Sequence, residues 1–260
     1  LSINAAPDLI GKVAFEPGWG HFEVGLLGRF FRDRVGLTAN AGLPSAGTNH
    51  TTKGGAVSVN AVLPVVAKKV DVVVTTLGGR GIGRYSPNTT DTTIRWFGGT
   101  TDPRNGTLMP LLGYSGAVGI ETHPTPKLDF NIYVGDEYMA RSPYYTAFSA
   151  GGTGLPPVGF PTAGVGYGLI NQNQSGCQVE IPLASQACSV SNRNLMEFSP
   201  GFWYRFYKGP AGTIQFGMYY SYYRRSVWTG NQSIVATTPV MGAPTGQQHE
   251  ILSAFRWYFP

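Results

Sequence analysis

The sequence predicts an all-β chain folded as a transmembrane antiparallel up-and-down β-barrel, and three observations predict it. Apolar and polar residues alternate along runs long enough to cross a bilayer. The connections between those runs alternate strictly between short and long. Charged residues make up only 13% of the chain, while aromatics make up 13% and glycines number 36 in 260 residues. Alternation puts one oily and one polar face on each strand. Two ends with unequal loops distinguish a membrane barrel from a soluble sandwich, whose strands are shorter and whose turns are alike at both ends.

The mean hydropathy of −0.07 does not oppose this. A barrel carries its apolar residues at every second position, so the average stays neutral. No segment approaches the roughly 18 uninterrupted apolar residues of a transmembrane helix. The net charge of +5 is modest and its Lys and Arg are scattered. Without a basic cluster interleaved with an aromatic platform, no nucleic-acid partner is expected.

The strands are expected at 8–16, 20–32, 52–63, 70–83, 109–122, 127–141, 193–207, 212–227 and 247–259. Most exceed the roughly 9–11 residues that a tilted strand needs to cross. Short connections fall at Pro17–Gly20, Pro64–Lys69, His123–Lys127 and Lys208–Gly212, and long ones at 33–51, 84–108, 142–192 and 228–247. In the first hairpin Leu9, Val13, Phe15, Phe22, Val24, Leu26 and Phe30 would face lipid, and Lys12, Glu16, His21, Glu23 and Arg29 would face inward. The run 70–83 holds three consecutive valines, so Asp71 alone sets its face. In 127–141, Leu128, Phe130, Ile132, Val134 and Tyr138 oppose Asp129, Asn131, Tyr133 and Glu137. In the clearest hairpin, Met196, Phe198, Pro200, Phe202, Tyr204 and Phe206 oppose Glu197, Ser199, Gly201, Trp203 and Arg205. Ile214, Phe216, Met218, Tyr220 and Tyr222 then oppose Gln215, Gly217, Tyr219, Ser221 and Tyr223.

About nine strands is an odd number, whereas bacterial single-chain barrels have even numbers. The first strand would start on the long-loop side and the last would end on the short-turn side. The expectation is therefore the C-terminal part of a larger barrel, one domain over 1–260 lacking N-terminal strands, unless LSINAA belongs to a further strand. Phe255, Trp257 and Phe259 alternate before Pro260, as in the aromatic-ended last strand of outer-membrane proteins.

The segments PGWGHFEV, GRFFRDR, HPTPKLDFNIY and PGFWYRFYKGPAGTIQFGMYYSY resemble bacterial outer-membrane porins, most closely porin-like proteins of acidobacteria. The resemblance covers most of the chain outside the long loops. It implies an outer-membrane passive diffusion channel for small hydrophilic solutes, and its motifs report architecture rather than substrate. Outer-membrane lipid and small hydrophilic solutes are the expected partners, and a trimeric homo-oligomer is admitted. The alternative is a structural or adhesive surface protein that binds partners through its long loops.

Candidate pore-lining residues are Lys12, Glu23, Arg29, Asp129, Glu137, Glu197, Arg205 and Arg256. Their mixed signs predict a transverse field and weak selectivity; each could equally serve a structural ion pair. Loop 142–192 is expected either to enter the pore or to lie outside as a flap. Cys177 and Cys188 within it predict one disulfide, with two free thiols as the alternative.

Enzymatic signatures are absent. His21, His50, His123 and His249 show no HExxH or comparable spacing, so neither a metal nor a cofactor is expected. GRGIGRY at 79–85 follows a strand and leads to a Thr-rich loop, which suits rim flexibility rather than phosphate binding. Asp136 and Glu137 are adjacent and point to opposite faces of a strand, so they do not converge for acid–base work. The Asn-x-Ser/Thr triplets at Asn49, Asn88, Asn105, Asn173 and Asn231 reflect loop composition.

Overall fold

The computed structural model describes residues 5–35, 48–85, 99–101, 107–148, 159, 161–233 and 238–259. The expectations that fall on LSIN, Asn88, Asn105 and Pro260 lie outside them. The strands are β1 (Leu9–Phe15), β2 (His21–Val35), β3 (Thr48–Val66), β4 (Val70–Arg80), β5 (Gly99–Thr101), β6 (Leu108–Pro110), β7 (Leu112–Thr125), β8 (Leu128–Met139), β9 (Ser142–Phe148), β10 (Pro161–Tyr167), β11 (Asn192–Gly209), β12 (Gly212–Val227), β13 (Gly230–Asn231), β14 (Met241–Gly242) and β15 (Thr245–Tyr258). Nine of them form one sheet in the order β1-β2-β3-β4-β7-β8-β11-β12-β15, each ladder antiparallel to the next. They correspond one for one to the expected nine. The sheet is open, with β1 and β15 as its edges.

The register turns the alternation into two faces. Phe15, Phe22, Ala61, Val74, Val118, Val134, Phe198, Tyr222 and His249 form one row across all nine strands. One residue along each strand, on the opposite face, the row reads Ala14, Glu23, Asn60, Thr75, Ala117, Gly135, Glu197, Tyr223 and Gln248. The first row belongs to an apolar face and the second to a polar one. The Asp71 assignment holds: Asp71 pairs with Glu121, while Val72 and Val74 pair with Ile120 and Val118 on the apolar side.

The apolar face is the exposed one. Val118 is 51% exposed, Ile132 47% and Val134 46%, although they stand in the middle of the sheet. Asn131, Ser199, Gln215 and Ser221 of the polar face are buried. Among the described residues, the buried hydrophobic side chains apart from Ala56, namely Phe31, Ile82, Leu111, Met139, Tyr167 and Val227, gather at the long-loop end. A water-soluble sheet would bury its valines and expose its glutamines.

Short connections end the strands on one side. Strand β3 runs past Pro64 and β7 past Pro124, so those turns shrink to 67–69 and 126–127. Both prolines sit at register shifts, between Pro64 and Val66 and between Thr122 and Thr125, where no ladder N–H is needed. A third shift corrects a sequence expectation. The apolar parity does not continue through Phe206, because a bulge between Arg205 and Tyr207 pairs Tyr207 with Ile214. Tyr207 therefore joins the apolar row, and the extra residue is Phe206.

The long-loop side carries structure that alternation did not reveal. Within 142–192, β9 and β10 form a hairpin. Tyr167 Oη donates to the Asn192 carbonyl at 2.6 Å and Gln174 Nε2 to that of Trp228 at 2.8 Å, tying this region to the ends of β11 and β12, while Trp228 Nε1 donates to the Met139 carbonyl at the end of β8 at 3.1 Å. Cys177 and Cys188 are bonded, 11 residues apart. Closing so short a segment restrains its unfolded chain by about 3 kcal/mol in the chain-entropy account.

Candidate functional site on the polar face

The polar face is concave. Thr75 and Leu77 of β4, Ser115 of β7, Glu137 of β8, Glu197 of β11 and Tyr223 of β12 border one cavity of about 540 Å³ together with Tyr85, which follows β4 in a 3₁₀ turn at Gly83–Tyr85. Small residues make this curvature possible. Gly119, Gly201 and Gly217 stand directly opposite Tyr133, Tyr219 and Trp203 on neighbouring strands, and each ring lies over its glycine. A Cβ on Gly217 would sit 2.5 Å from a ring carbon of Trp203, so only glycine fits beneath the indole.

A belt of paired charges crosses this face near the short turns. Lys12 Nζ donates to Glu23 at 2.5 Å, and Asn60 Nδ2 reaches the other Glu23 oxygen at 3.5 Å. Thr75 Oγ1 donates to Asn60 Oδ1 at 2.7 Å. His21 lies 3.2 Å from Glu23 and pairs with Glu16. Further round, His123 Nδ1 contacts Asp129 at 2.8 Å, and Arg205 pairs with the same carboxylate. Trp203 Nε1 donates to Tyr219 Oη at 2.8 Å, and Tyr219 donates to Asn131 at 3.1 Å. The Arg256 guanidinium lies 4.0 Å from the centre of the Trp203 ring, within cation–π range.

Cations and anions meet across this face. Arg205, Lys208 and Arg256 share a cavity of about 390 Å³ with Asp129, on β8, β11, β12 and β15. Glu23, Asp71, Glu121 and Asp129 lie on β2, β4, β7 and β8.

Of the eight residues expected from the sequence, Lys12, Glu23, Asp129, Arg205 and Arg256 join this belt. Glu197 stands nearer the long-loop end on the same face. Arg29 and Glu137 are also on that face, but they are 1% and 3% exposed. Arg29 is locked in place: its Nε is 3.3 Å from Asp8, its Nη1 donates to the Gly81 carbonyl, and its guanidinium lies 4.6 Å from the Phe31 ring centre. Asp136 and Glu137 point to opposite faces as expected. Asp136 is at the loop end of the apolar face, where Asn194 Nδ2 donates to it at 3.1 Å.

Residues that sequence reasoning did not select include Asn60, Glu121, Tyr133, Trp203, Tyr219 and His123. His123 was expected in a turn but belongs to β7. Shared parity with Asp71, Asp129 and Arg205 was the available signal.

Two solved structures match this chain. The outer membrane transporter YddB from Escherichia coli matches at 9% identity with a TM-score of 0.44, over 96% of this chain and 32% of that one. The FrpB iron transporter from Neisseria meningitidis, F5-1 variant, matches at 8% identity with a TM-score of 0.41, over 96% and 34%. The chain thus spans about a third of the length of either. No family model and no curated protein matches it. Neither structure is an acidobacterial porin-like protein.

Proposed function

We infer that this chain forms part of a β-barrel in the bacterial outer membrane, with its apolar face in lipid and its concave polar face along a water-filled path. The carrying observation is the inversion of burial: central valines and isoleucines face out while glutamine, serine and asparagine are enclosed. Strands β1 and β15 run in the same direction, so antiparallel closure takes an odd number of further strands between them. The path passes small hydrophilic solutes by passive diffusion. Lys12, Glu23, Asp129, Glu197, Arg205 and Arg256 line it, and their opposing signs set up a transverse field.

Planar-bilayer recording tests this reading. The folded protein gives ohmic conductance steps with weak ion selectivity, and replacing both Arg205 and Arg256 with Glu shifts that selectivity toward cations. Absence of any conductance by inserted protein would favour the surface-binding alternative, for which the disulfide-closed segment and the β9–β10 hairpin offer a folded loop end.

A further inference from the structure

We propose that Asp71, Glu121 and His123 form a binding site for a divalent first-row transition ion such as Zn²⁺ on the polar face beside the short turns. Asp71 on β4 pairs directly with Glu121 on β7, and His123 lies two residues further along β7, so all three side chains share the polar face. One donor atom from each lies within 4.8 Å of the others. His123 Nε2 and Asp71 Oδ2 are 3.5 Å apart. Tetrahedral ligation at 2.0–2.2 Å places donor atoms about 3.4 Å apart, so small side-chain rotations complete the set.

The surroundings are those of a held ligand set. His123 Nδ1 faces the Asp129 carboxylate at 2.8 Å. That contact keeps the Nδ1 proton in place and turns the Nε2 lone pair toward Asp71 and Glu121. Asp129 is itself held by Arg205, and Tyr133 Oη donates to Glu121 Oε1, leaving Glu121 Oε2 for an ion. A carboxylate behind the imidazole and a hydrogen bond on the ligating carboxylate fix ligand orientation and raise basicity. Two carboxylates offset the charge of a divalent ion, and one imidazole favours Zn²⁺, Ni²⁺ or Cu²⁺ over Mg²⁺ or Ca²⁺, which take oxygen ligands. With three protein ligands, the fourth position opens to the water of the concave face. This site stands whether or not the barrel conducts.

Titration calorimetry of the folded chain with Zn²⁺ alone tests it. One Zn²⁺ binds per chain. His123→Gln and Glu121→Gln each weaken binding at least tenfold, and Asp136→Asn, on the other face, does not. Asp129→Asn, which removes the carboxylate charge behind the imidazole and its ion pair with Arg205, weakens binding by roughly 10- to 100-fold. Residue-resolved acylation of imidazoles in the unaltered protein gives a readout free of folding defects: Zn²⁺ protects His123 and leaves His50 and His249 reactive. Undiminished affinity in the folded His123→Gln variant, or equal acylation of His123 with and without Zn²⁺, overturns the proposal.

Discussion

Replacing Arg29 with alanine is expected to destabilise the folded protein by about 3–5 kcal/mol. The side chains of Arg29 and Asp8 are 1% and 4% exposed, so truncation leaves a carboxylate stranded away from water. More than an ion pair is lost. Arg29 also donates to the Gly81 carbonyl and stacks near Phe31 and Tyr85, while Tyr85 Oη donates to Asp8 at 2.8 Å. This one cation ties β2 to the chain before β1 and to the turn after β4. Arg29→Lys keeps the charge but not the planar fork, so it recovers only part of the loss. Urea unfolding in detergent or lipid measures the effect. In the Arg29→Ala, Asp8→Ala double variant the loss is smaller than the sum of the single losses, because both remove the same contact. A loss under about 1 kcal/mol for Arg29→Ala would show that this cluster does not hold the loop end.

Introducing a lysine at Val134 gives the second large effect. Val134 stands near the centre of the apolar face, between Val118 and Phe198. At a half-exposed site in a water-soluble protein, valine to lysine changes stability by no more than about 0.5 kcal/mol. Facing mid-bilayer, the same lysine costs roughly 2–4 kcal/mol. Val134→Lys should therefore fold poorly into vesicles, whereas Thr75→Lys on the polar face should not. Unfolding both in the same lipid compares them, and equal stability would contradict a lipid-facing surface at Val134.

Much of this architecture was legible because strand period and turn spacing are local properties. All nine strands and both faces followed from alternation, and Asp71 fixed the valine-rich strand correctly. Features that depend on register or on distant partners were not legible. The Phe206 bulge needs knowledge of where Tyr207 pairs. Arg29 reads as a lumen cation until Asp8 and Tyr85, remote in sequence, enclose it. The β9–β10 hairpin hides in a Gly- and Pro-rich stretch with little alternation. Glu121 and His123 have a strand's ligand spacing, two residues apart, yet a search for helical motifs such as HExxH passes over it. Their third member, Asp71, arrives only through the ladder.

The central claim is that alternate residues meet lipid and water, and a cysteine scan along β11, β12 and β15 tests it most directly. Cysteines are placed singly at Phe202, Tyr204, Phe216 and Met218, and at Glu197, Arg205 and Arg256, in a background lacking the native pair. In lipid vesicles, a membrane-impermeant maleimide presented to both ends of the barrel should label the second set. The first set should resist it and react only with a lipid-dissolved reagent. Labelling that ignores parity, or that favours Phe202 and Phe216 over Arg205 and Arg256, would contradict the account.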